Sequence, residues 1–167
     1  MGSTSKMSRK MLSNPELKTI VDKFKEGLTL NGYKRVFEDE KELDSSDLIE
    51  ESLPEPYTKD NLIEKIFDYC ECTVDRTERK FEELRKNRRN IDYTIRTVNG
   101  TRILVEAKPL NADLASNSDD GCINQVIDAL KLHDVVSIFK MGIATDGYRW
   151  VFLNEDRKIV ANLNVDD

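Results

Sequence analysis

Two short runs of alternating apolar and polar residues, joined at Asn99-Gly100, constrain the fold of this chain more than any other stretch. Both runs lie within residues 90–109 and are rich in β-branched side chains. An Asn-Gly pair between two such runs is the strongest short-range signal for a β-hairpin. The sequence therefore predicts two antiparallel strands here. Three charged residues interrupt the pattern: Asp92, Glu106 and Lys108.

The length of the hairpin loop decides where these charged side chains point. A two-residue turn would pair Asp92 with Ala107 and leave Glu106 on the opposite face, because a shift of one residue moves every side chain to the other side. A three-residue loop, Val98-Asn99-Gly100, instead pairs Asp92 with Glu106 and places Gly100 in the left-handed region. It also pairs Thr97 with Thr101, Ile95 with Ile103, Tyr93 with Val105 and Ile91 with Ala107. We predict this register, because it separates the apolar side chains from the charged ones.

Two carboxylates and a lysine on one sheet face form a set suited to a divalent cation. Mg²⁺ and Mn²⁺ prefer oxygen ligands, and Mg²⁺ sites often combine one or two carboxylates with substrate phosphate. A lysine two residues from such a ligand can hold a water molecule or help to deprotonate it. The alternative is a solvated ion pair of little energetic value, which is common in a chain with 35% charged residues.

These residues resemble the metal site of the PD-(D/E)XK nuclease superfamily. The blocks Ile91-Asp92-Tyr93 and Val105-Glu106-Ala107-Lys108-Pro109 follow each other across the hairpin. Further along, Thr145-Asp146-Gly147 and Trp150 resemble a turn and strand of the nuclease domain at the N-terminus of type I restriction enzyme R subunits. The resemblance covers roughly residues 57–152.

The resemblance implies both a fold and an activity. The fold would be α/β (α+β), a mixed central sheet flanked by helices, with a restriction-endonuclease-like core and an N-terminal helical extension. The activity would be that of a Mg²⁺- or Mn²⁺-dependent DNA endonuclease, or its nuclease domain, that leaves a 5′-phosphate in a restriction system. Asp92, Glu106 and the Ala107 carbonyl would hold the metal ion, and Lys108 would orient the attacking hydroxide.

In the resembling family, a helix before the hairpin often brings a further acidic residue to the metal ion. The candidates here are Glu55, Asp60 and Glu64. The family's spacing before the Leu62-Ile63 pair favours Glu55 as this ligand. For each of the three residues, a solvated surface position is the alternative.

A helix after the lysine strand carries a Gln-x-x-x-Tyr pair in the same family. Here Gln125 is followed four residues later by Ala129, so only half of that pair is present. We therefore take Gln125 as a further catalytic candidate that supports the site. The missing tyrosine weakens the likeness to R subunits more than the likeness to nucleases in general.

The distribution of charge bears on DNA binding more than the net charge of −6 does. Residues 38–55 are strongly acidic, whereas residues 76–89 are basic and lead directly into Asp92. Cations beside the predicted site would meet a phosphate backbone and supply affinity that does not depend on base sequence. Four of them are candidate DNA-binding residues: Arg85, Lys86, Arg88 and Arg89. The alternative is a solvated loop or helix face.

Length and composition set the remaining expectations. A chain of 167 residues fits one domain, without a membrane-spanning run or a secretory signal, so a cytoplasmic location is the default. Three cysteines and the single His133 make a poor zinc set, so the cysteines are expected to be reduced and partly buried. DNA and other domains or subunits of a restriction complex are the expected partners. The alternative function is a catalytically silent DNA-binding or assembly module.

We divide the chain into a disordered tail or cloning remnant (1–13), an N-terminal helical and acidic segment (14–56) and a nuclease-like core (57–167), within one domain overall. Asn14-Pro15 predicts a helix start, and Asn31-Gly32 predicts the end of that helix. A short helix is predicted near 46–53, and Thr58 is predicted to cap a helix that runs to about Glu71. A helix at about 122–132 and strands at 141–145, 148–154 and 158–164 complete the prediction.

Overall fold

The computed structural model of the protein describes residues 14–50, 52–75, 91–118 and 121–165. They form a six-stranded sheet whose strands lie side by side in chain order. The strands are β1 Thr73–Asp75, β2 Tyr93–Arg96, β3 Arg102–Ala107, β4 Met141–Thr145, β5 Arg149–Asn154 and β6 Ile159–Asn164. β3 and β4 are parallel, and the other neighbours are antiparallel. The predicted mixed sheet is therefore confirmed.

Helices lie on both faces of this sheet. They are α1 Pro15–Glu26, α2 Leu30–Tyr33 with a π-helical continuation at Lys34–Glu38, α3, α4 Cys122–Leu130 and α5 His133–Val136. α3 consists of Pro54–Thr58, a π-helical turn at Lys59–Ile63, and Glu64–Tyr69 in succession. α4 carries the chain from β3 to the parallel β4, as such a crossover requires. Among the described residues, no helix has the length and apolar character to cross a membrane.

The first helix begins where the sequence predicted and ends earlier. The Asn14 side chain accepts hydrogen bonds from the backbone N–H groups of Glu16 and Leu17, so its prediction as the cap is confirmed. The predicted stop at Asn31-Gly32 is wrong, because α1 ends at Glu26 and this pair lies inside α2. Gly27 forms the end of α1, and the Tyr57 ring packs so closely on it that no side chain would fit.

The start of α3 also differs from its prediction. Pro54 occupies the first helical turn, where its missing N–H has no partner to lose. Thr58 is therefore inside the helix and not its cap; its hydroxyl donates to the Pro54 carbonyl at 2.8 Å and accepts from the Leu110 N–H at 3.4 Å. The helix predicted near 46–53 is wrong as well, since the described residues 46–50, 52 and 53 form no helix apart from the end of a 3₁₀ turn at Ser45–Asp47.

Two apolar clusters cover the two faces of the sheet. The first packs the alternate β2 and β3 side chains Tyr93, Ile95, Ile103 and Val105 against α1 and α3. The second packs the opposite face against α4: Leu104, Val126, Leu130, Ala144 and Val151. Ile91, predicted on the first face, belongs to the second cluster. It precedes β2, so the strand alternation does not govern its direction.

The β2–β3 hairpin has the predicted register. Tyr93 faces Val105 and Ile95 faces Ile103, as a three-residue loop requires. The Thr97 N–H donates to the Thr101 carbonyl at 2.9 Å. Gly100 has a φ of +83°, in the left-handed region that glycine adopts at little cost.

A second left-handed glycine, Gly147, lies in the turn between β4 and β5 with a φ of +93°. We predict that Gly147→Ala destabilises the protein by about 2–5 kcal/mol, because backbone strain adds to a clash with Leu62 of α3. Gly100→Ala is the matched control, since a side chain there meets open space, and it should cost only about 1–2 kcal/mol. Urea denaturation of both variants measures the difference, and equal losses would contradict the role assigned to Leu62.

An ion pair joins the 3₁₀ turn at Ser45–Asp47 to the π-helical continuation of α2. The Asp47 carboxylate, which is 3% exposed, accepts hydrogen bonds from Arg35 Nε at 2.9 Å and Nη2 at 2.7 Å. The Arg35 guanidinium lowers the pKa of Asp47, although burial acts in the opposite direction. The folded protein therefore binds this proton less readily than the unfolded chain does.

We predict that Asp47→Asn lowers the free energy of unfolding at pH 7 by about 1–3 kcal/mol, because Arg35 loses its partner. The stabilisation is fully present above the unfolded pKa of about 3.9 and is lost as the pH falls through the lower folded pKa. Urea denaturation at pH 7 and pH 3 should therefore show a smaller difference at pH 3. Asp39→Asn, at an exposed position nearby, should stay within about 0.5 kcal/mol of wild type at both pH values.

Candidate active site

Asp92 lies just before β2 and reaches across to the end of β3. Its Oδ2 atom accepts a hydrogen bond from the Ala107 backbone N–H at 2.9 Å. This contact follows from the hairpin register, which places Asp92 opposite Glu106 when the β2–β3 pairing is extended by one residue. The backbone of β3 thus fixes one oxygen of Asp92.

Glu106 lies beside Asp92 and is almost fully buried, with 5% of its surface exposed. Burial raises the pKa of Glu106 well above its usual range, and the Asp92 carboxylate, which is within hydrogen-bond reach, raises it further. Lys108 and Lys59 act in the opposite direction but do not cancel the shift. A buried and a partly exposed acidic group therefore lie side by side at the end of the sheet.

Lys108 follows β3 directly and is half-buried. Its backbone N–H donates to the Thr145 carbonyl at 2.9 Å, which continues the pairing with β4 for one residue beyond the strand. Its ammonium is close enough to Glu106 to act on that carboxyl electrostatically. The structure therefore brings Asp92, Glu106 and Lys108 to the same end of β3.

Lys59 is a member of this cluster that the sequence analysis missed. Its Nζ atom lies 2.9 Å from Asp92 Oδ1 and 3.3 Å from Glu55 Oε2. It also lies 5.8 Å from the centre of the Tyr93 ring. Burial alone would lower the pKa of Lys59, but the Asp92 and Glu55 carboxylates more than reverse this and raise it. In the sequence, Lys59 follows Glu55 by four residues, and on a helix this spacing indicates an ion pair between the two. It gives no information about the contact between Lys59 and Asp92.

The three candidates for a further acidic ligand make different contacts. Glu55 is joined to Asp92 through the shared Lys59 ammonium. Glu64 accepts a hydrogen bond from the Tyr93 hydroxyl at 3.2 Å. Asp60 is exposed and lines a groove with Gly27. The Lys59 ammonium thus links Glu55 to Asp92.

α4 contributes two polar side chains near the same strand. The Cys122 thiol donates to the Glu106 carbonyl at 3.3 Å, and burial raises its pKa, so it is held as a neutral thiol. Gln125 lies one turn further along α4. Its Oε1 atom is buried and accepts no hydrogen bond from the part of the chain that the structure describes. The helix thus carries one satisfied polar group and one unsatisfied oxygen.

The remaining predictions concern residues outside the described ranges and the three cysteines. The candidate DNA-binding residues Arg85, Lys86, Arg88 and Arg89 lie outside the described residues, as does the tail 1–13. The cysteines are free, and Cys72 and Cys122 are at least partly buried; the expectation of burial is wrong for Cys70, which is exposed. Cys70 follows the last residue of α3, where the apolar face of the helix has already ended.

The fit of a divalent cation can be tested on the side chains themselves. Within residues 14–50, 52–75, 91–118 and 121–165 there is no group of three or more acidic, cysteine or histidine side chains that could hold a metal ion. The site is instead a pair of adjacent carboxyl groups, and the like-charge contact within it is what a cation would relieve. Two oxygen ligands suit Mg²⁺, which keeps several waters and binds through one or two carboxylates. The residues therefore fit a partial, open Mg²⁺ site.

No model of a known protein family matches this chain, and no solved structure matches it. A Methanocaldococcus jannaschii protein named "Putative type II restriction enzyme and methyltransferase" is 33% identical to it over 151 residues. The matched region covers 89% of this chain and 11% of that protein. The chain is thus similar to a short part of a much longer protein that carries a restriction-enzyme name.

Proposed function

We propose that this chain is a Mg²⁺- or Mn²⁺-dependent DNA endonuclease, or the nuclease domain of one, with a site of the PD-(D/E)XK kind. The observation that carries the proposal is the contact between the Asp92 and Glu106 carboxyl groups beside Lys108. Similarity to a protein with a restriction-enzyme name supports DNA as the substrate and restriction as the setting. That relative is named a type II enzyme, so we propose membership of the superfamily, and the finer likeness to the nuclease domain of type I R subunits stays a prediction.

Asp92 and Glu106 would hold the metal ion, together with the Ala107 carbonyl, and Glu55 would add a further oxygen. A bound Mg²⁺ or Mn²⁺ ion supplies Lewis acidity toward the phosphate and lowers the pKa of water. The Ala107 N–H keeps Asp92 in place through its Oδ2 atom. Because this donor belongs to the sheet backbone, the ligand is oriented before any substrate arrives.

Lys108 would orient the attacking hydroxide and offset the negative charge that builds up on the phosphate. Its position two residues after Glu106 supports this role, because its ammonium is close enough to act electrostatically on the Glu106 carboxyl. Gln125 would support the site from α4, since its buried Oε1 atom accepts no hydrogen bond from any of the described residues. The basic residues Arg85, Lys86, Arg88 and Arg89 would contact the DNA backbone, and other domains or subunits of a cytoplasmic restriction complex would be further partners.

A plasmid-nicking assay tests this proposal. We expect nicking that requires Mg²⁺ or Mn²⁺ and is lost with a chelator. Asp92→Ala and Lys108→Ala should each reduce the rate by at least about 100-fold, because each removes charge from the position where the phosphate reacts. Lys158→Ala, at an exposed position before β6, is the matched control and should cut as wild type does.

Two results would contradict the proposal. Nicking that persists in Asp92→Ala would show that the acidic pair is not the metal site. Tight DNA binding by a wild-type protein that never cuts, with its partner subunits present, would favour the alternative of a silent binding or assembly module. A gel-shift measurement on the same preparations separates loss of cutting from loss of binding.

The ionised Glu106 carboxylate destabilises the folded protein, because it is buried and lies beside Asp92. Its pKa is raised on folding by burial first and by Asp92 second, so the folded state binds this proton more tightly than the unfolded chain does. Stability therefore falls as the pH rises from the unfolded pKa of about 4.3 towards the folded value. Residues kept in spite of such a cost are concentrated at functional sites.

We predict that Glu106→Gln raises the melting temperature of the metal-free protein at pH 8 and changes it little at pH 4. Glutamine has the same size, can still donate a hydrogen bond to Asp92 and carries no charge to be buried. Thermal denaturation in the presence of a chelator measures this. Glu155→Gln is the control, because Glu155 is exposed and its ion pair with Lys140 is worth little. A lower melting temperature for Glu106→Gln at pH 8 would show that the carboxylate does not destabilise the folded protein.

A further inference from the structure

The Lys59 ammonium contacts two candidate metal ligands at once. It lies 2.9 Å from Asp92 Oδ1 on the sheet and 3.3 Å from Glu55 Oε2 on its own helix. The exposed fraction of the side chain is 18% for Lys59, 25% for Asp92 and 39% for Glu55, so water screens the contact with Asp92 less than the contact with Glu55. A single cation therefore joins the helical and the sheet-borne carboxylates.

The two oxygens of Asp92 have different partners. Oδ2 accepts from the Ala107 backbone N–H at 2.9 Å, and this bond is part of the hairpin. Oδ1 accepts from Lys59, whose long side chain has rotatable bonds and reaches solvent easily. The ammonium therefore lies on the oxygen of Asp92 that the backbone does not occupy, which is where another cation would bind.

The charges of the site decide whether both cations can be present. The adjacent pair Asp92 and Glu106, together with Glu55 on the far side of Lys59, carries at most three negative charges. Lys59, Lys108 and a divalent ion would together bring four positive charges into the same partly buried volume. Like charges repel strongly there, because the local dielectric is lower than that of water. With Lys59 moved into solvent, three positive charges would face three negative ones.

We propose that Lys59 is an internal counter-ion that takes the place of the divalent cation in the metal-free protein and sets the affinity for that cation. The inference rests on the proposed function, because it takes Asp92 and Glu55 as metal ligands. Lys59 acts through these carboxylates and is a positioning residue. It keeps Glu55 close to Asp92 when no metal is bound, and it leaves when a divalent ion enters.

Calorimetric titration with Mn²⁺ tests the competition in the full chain. Lys59→Met keeps most of the side-chain length and removes the charge, so it should bind Mn²⁺ about 5- to 100-fold more tightly than wild type, the usual range of coupling between two sites. Lys65→Met, at an exposed position on the same helix, should bind Mn²⁺ as wild type does. Asp92→Asn should bind it more weakly, which locates the ion at this site.

A second measurement uses the wild-type protein and needs no variant. Acetylation of lysines by an amine-reactive ester, followed by mass spectrometry, reports how accessible each ammonium is. Mn²⁺ should increase the acetylation rate of Lys59 several-fold and leave that of Lys65 unchanged. Thermal denaturation adds a third readout: metal-free Lys59→Met should melt below Lys65→Met, and saturating Mn²⁺ should remove the difference.

The outcomes separate this inference from the proposed function. Equal Mn²⁺ affinities of wild type and Lys59→Met overturn the inference and leave the nuclease proposal standing. So does an unchanged acetylation rate of Lys59 in protein that has bound Mn²⁺. If neither protein binds Mn²⁺, or if Asp92→Asn binds it as tightly as wild type, the metal site itself is refuted and both proposals fail.

Discussion

Gly100 closes the loop between β2 and β3 with a positive φ, and the three-residue loop decides which residues of the two strands face each other. In this register Asp92 meets the Ala107 N–H and the Glu106 carboxyl. A shift of one residue would point Glu106 into the apolar cluster that now holds Ile103 and Val105. The burial of apolar side chains and the pairing of the two acids therefore select the same alignment.

Two buried acids lie near one end of the sheet, and their surroundings distinguish them. Burial raises the pKa of Asp146, but its carboxylate accepts hydrogen bonds from the N–H groups of Tyr148, Arg149 and Asn111 and so supports the turn after β4. Glu106 has another carboxyl group and two ammoniums nearby. Backbone N–H groups thus surround the Asp146 carboxylate, whereas charged side chains surround the Glu106 carboxyl. Burial alone would not separate these roles.

The parts of the fold that follow from local sequence were predictable. Asn99-Gly100 and the alternation around it indicated the hairpin register, the Asn14 cap indicated the start of α1, and β4 has the predicted bounds. Leu62, Ile63, Ile66 and Phe67, which recur at helical spacing in α3, are all buried. These features depend on residues a few positions apart, where periodicity and capping carry the information.

The errors and omissions arise where distant segments meet. Thr58 and Pro54 were both acceptable helix starters, and what the Thr58 hydroxyl contacts, Leu110, lies 52 residues away. Asp92 and Lys59 are 33 residues apart, and no local pattern predicts their contact. Ile91 lies outside β2, so the alternation that placed its neighbours did not apply to it. The acidic pair was predictable, whereas its counter-ion required the packing of a helix on the sheet.

The π-helical turn at Lys59–Ile63 divides α3 into two functional halves. Such a turn contains one residue more than an α-helical turn, so the side chains on its two sides are rotated relative to each other by about 100°. The N-terminal half can thereby direct Glu55 and Lys59 at polar groups while the C-terminal half presents Ile66 and Phe67 to the core. One continuous helix thus directs its charged and its apolar side chains in different directions. In evolutionary terms, substitutions at the two charged positions Glu55 and Lys59 would leave the packing of Ile66 and Phe67 in place, because the extra residue separates the directions of these side chains.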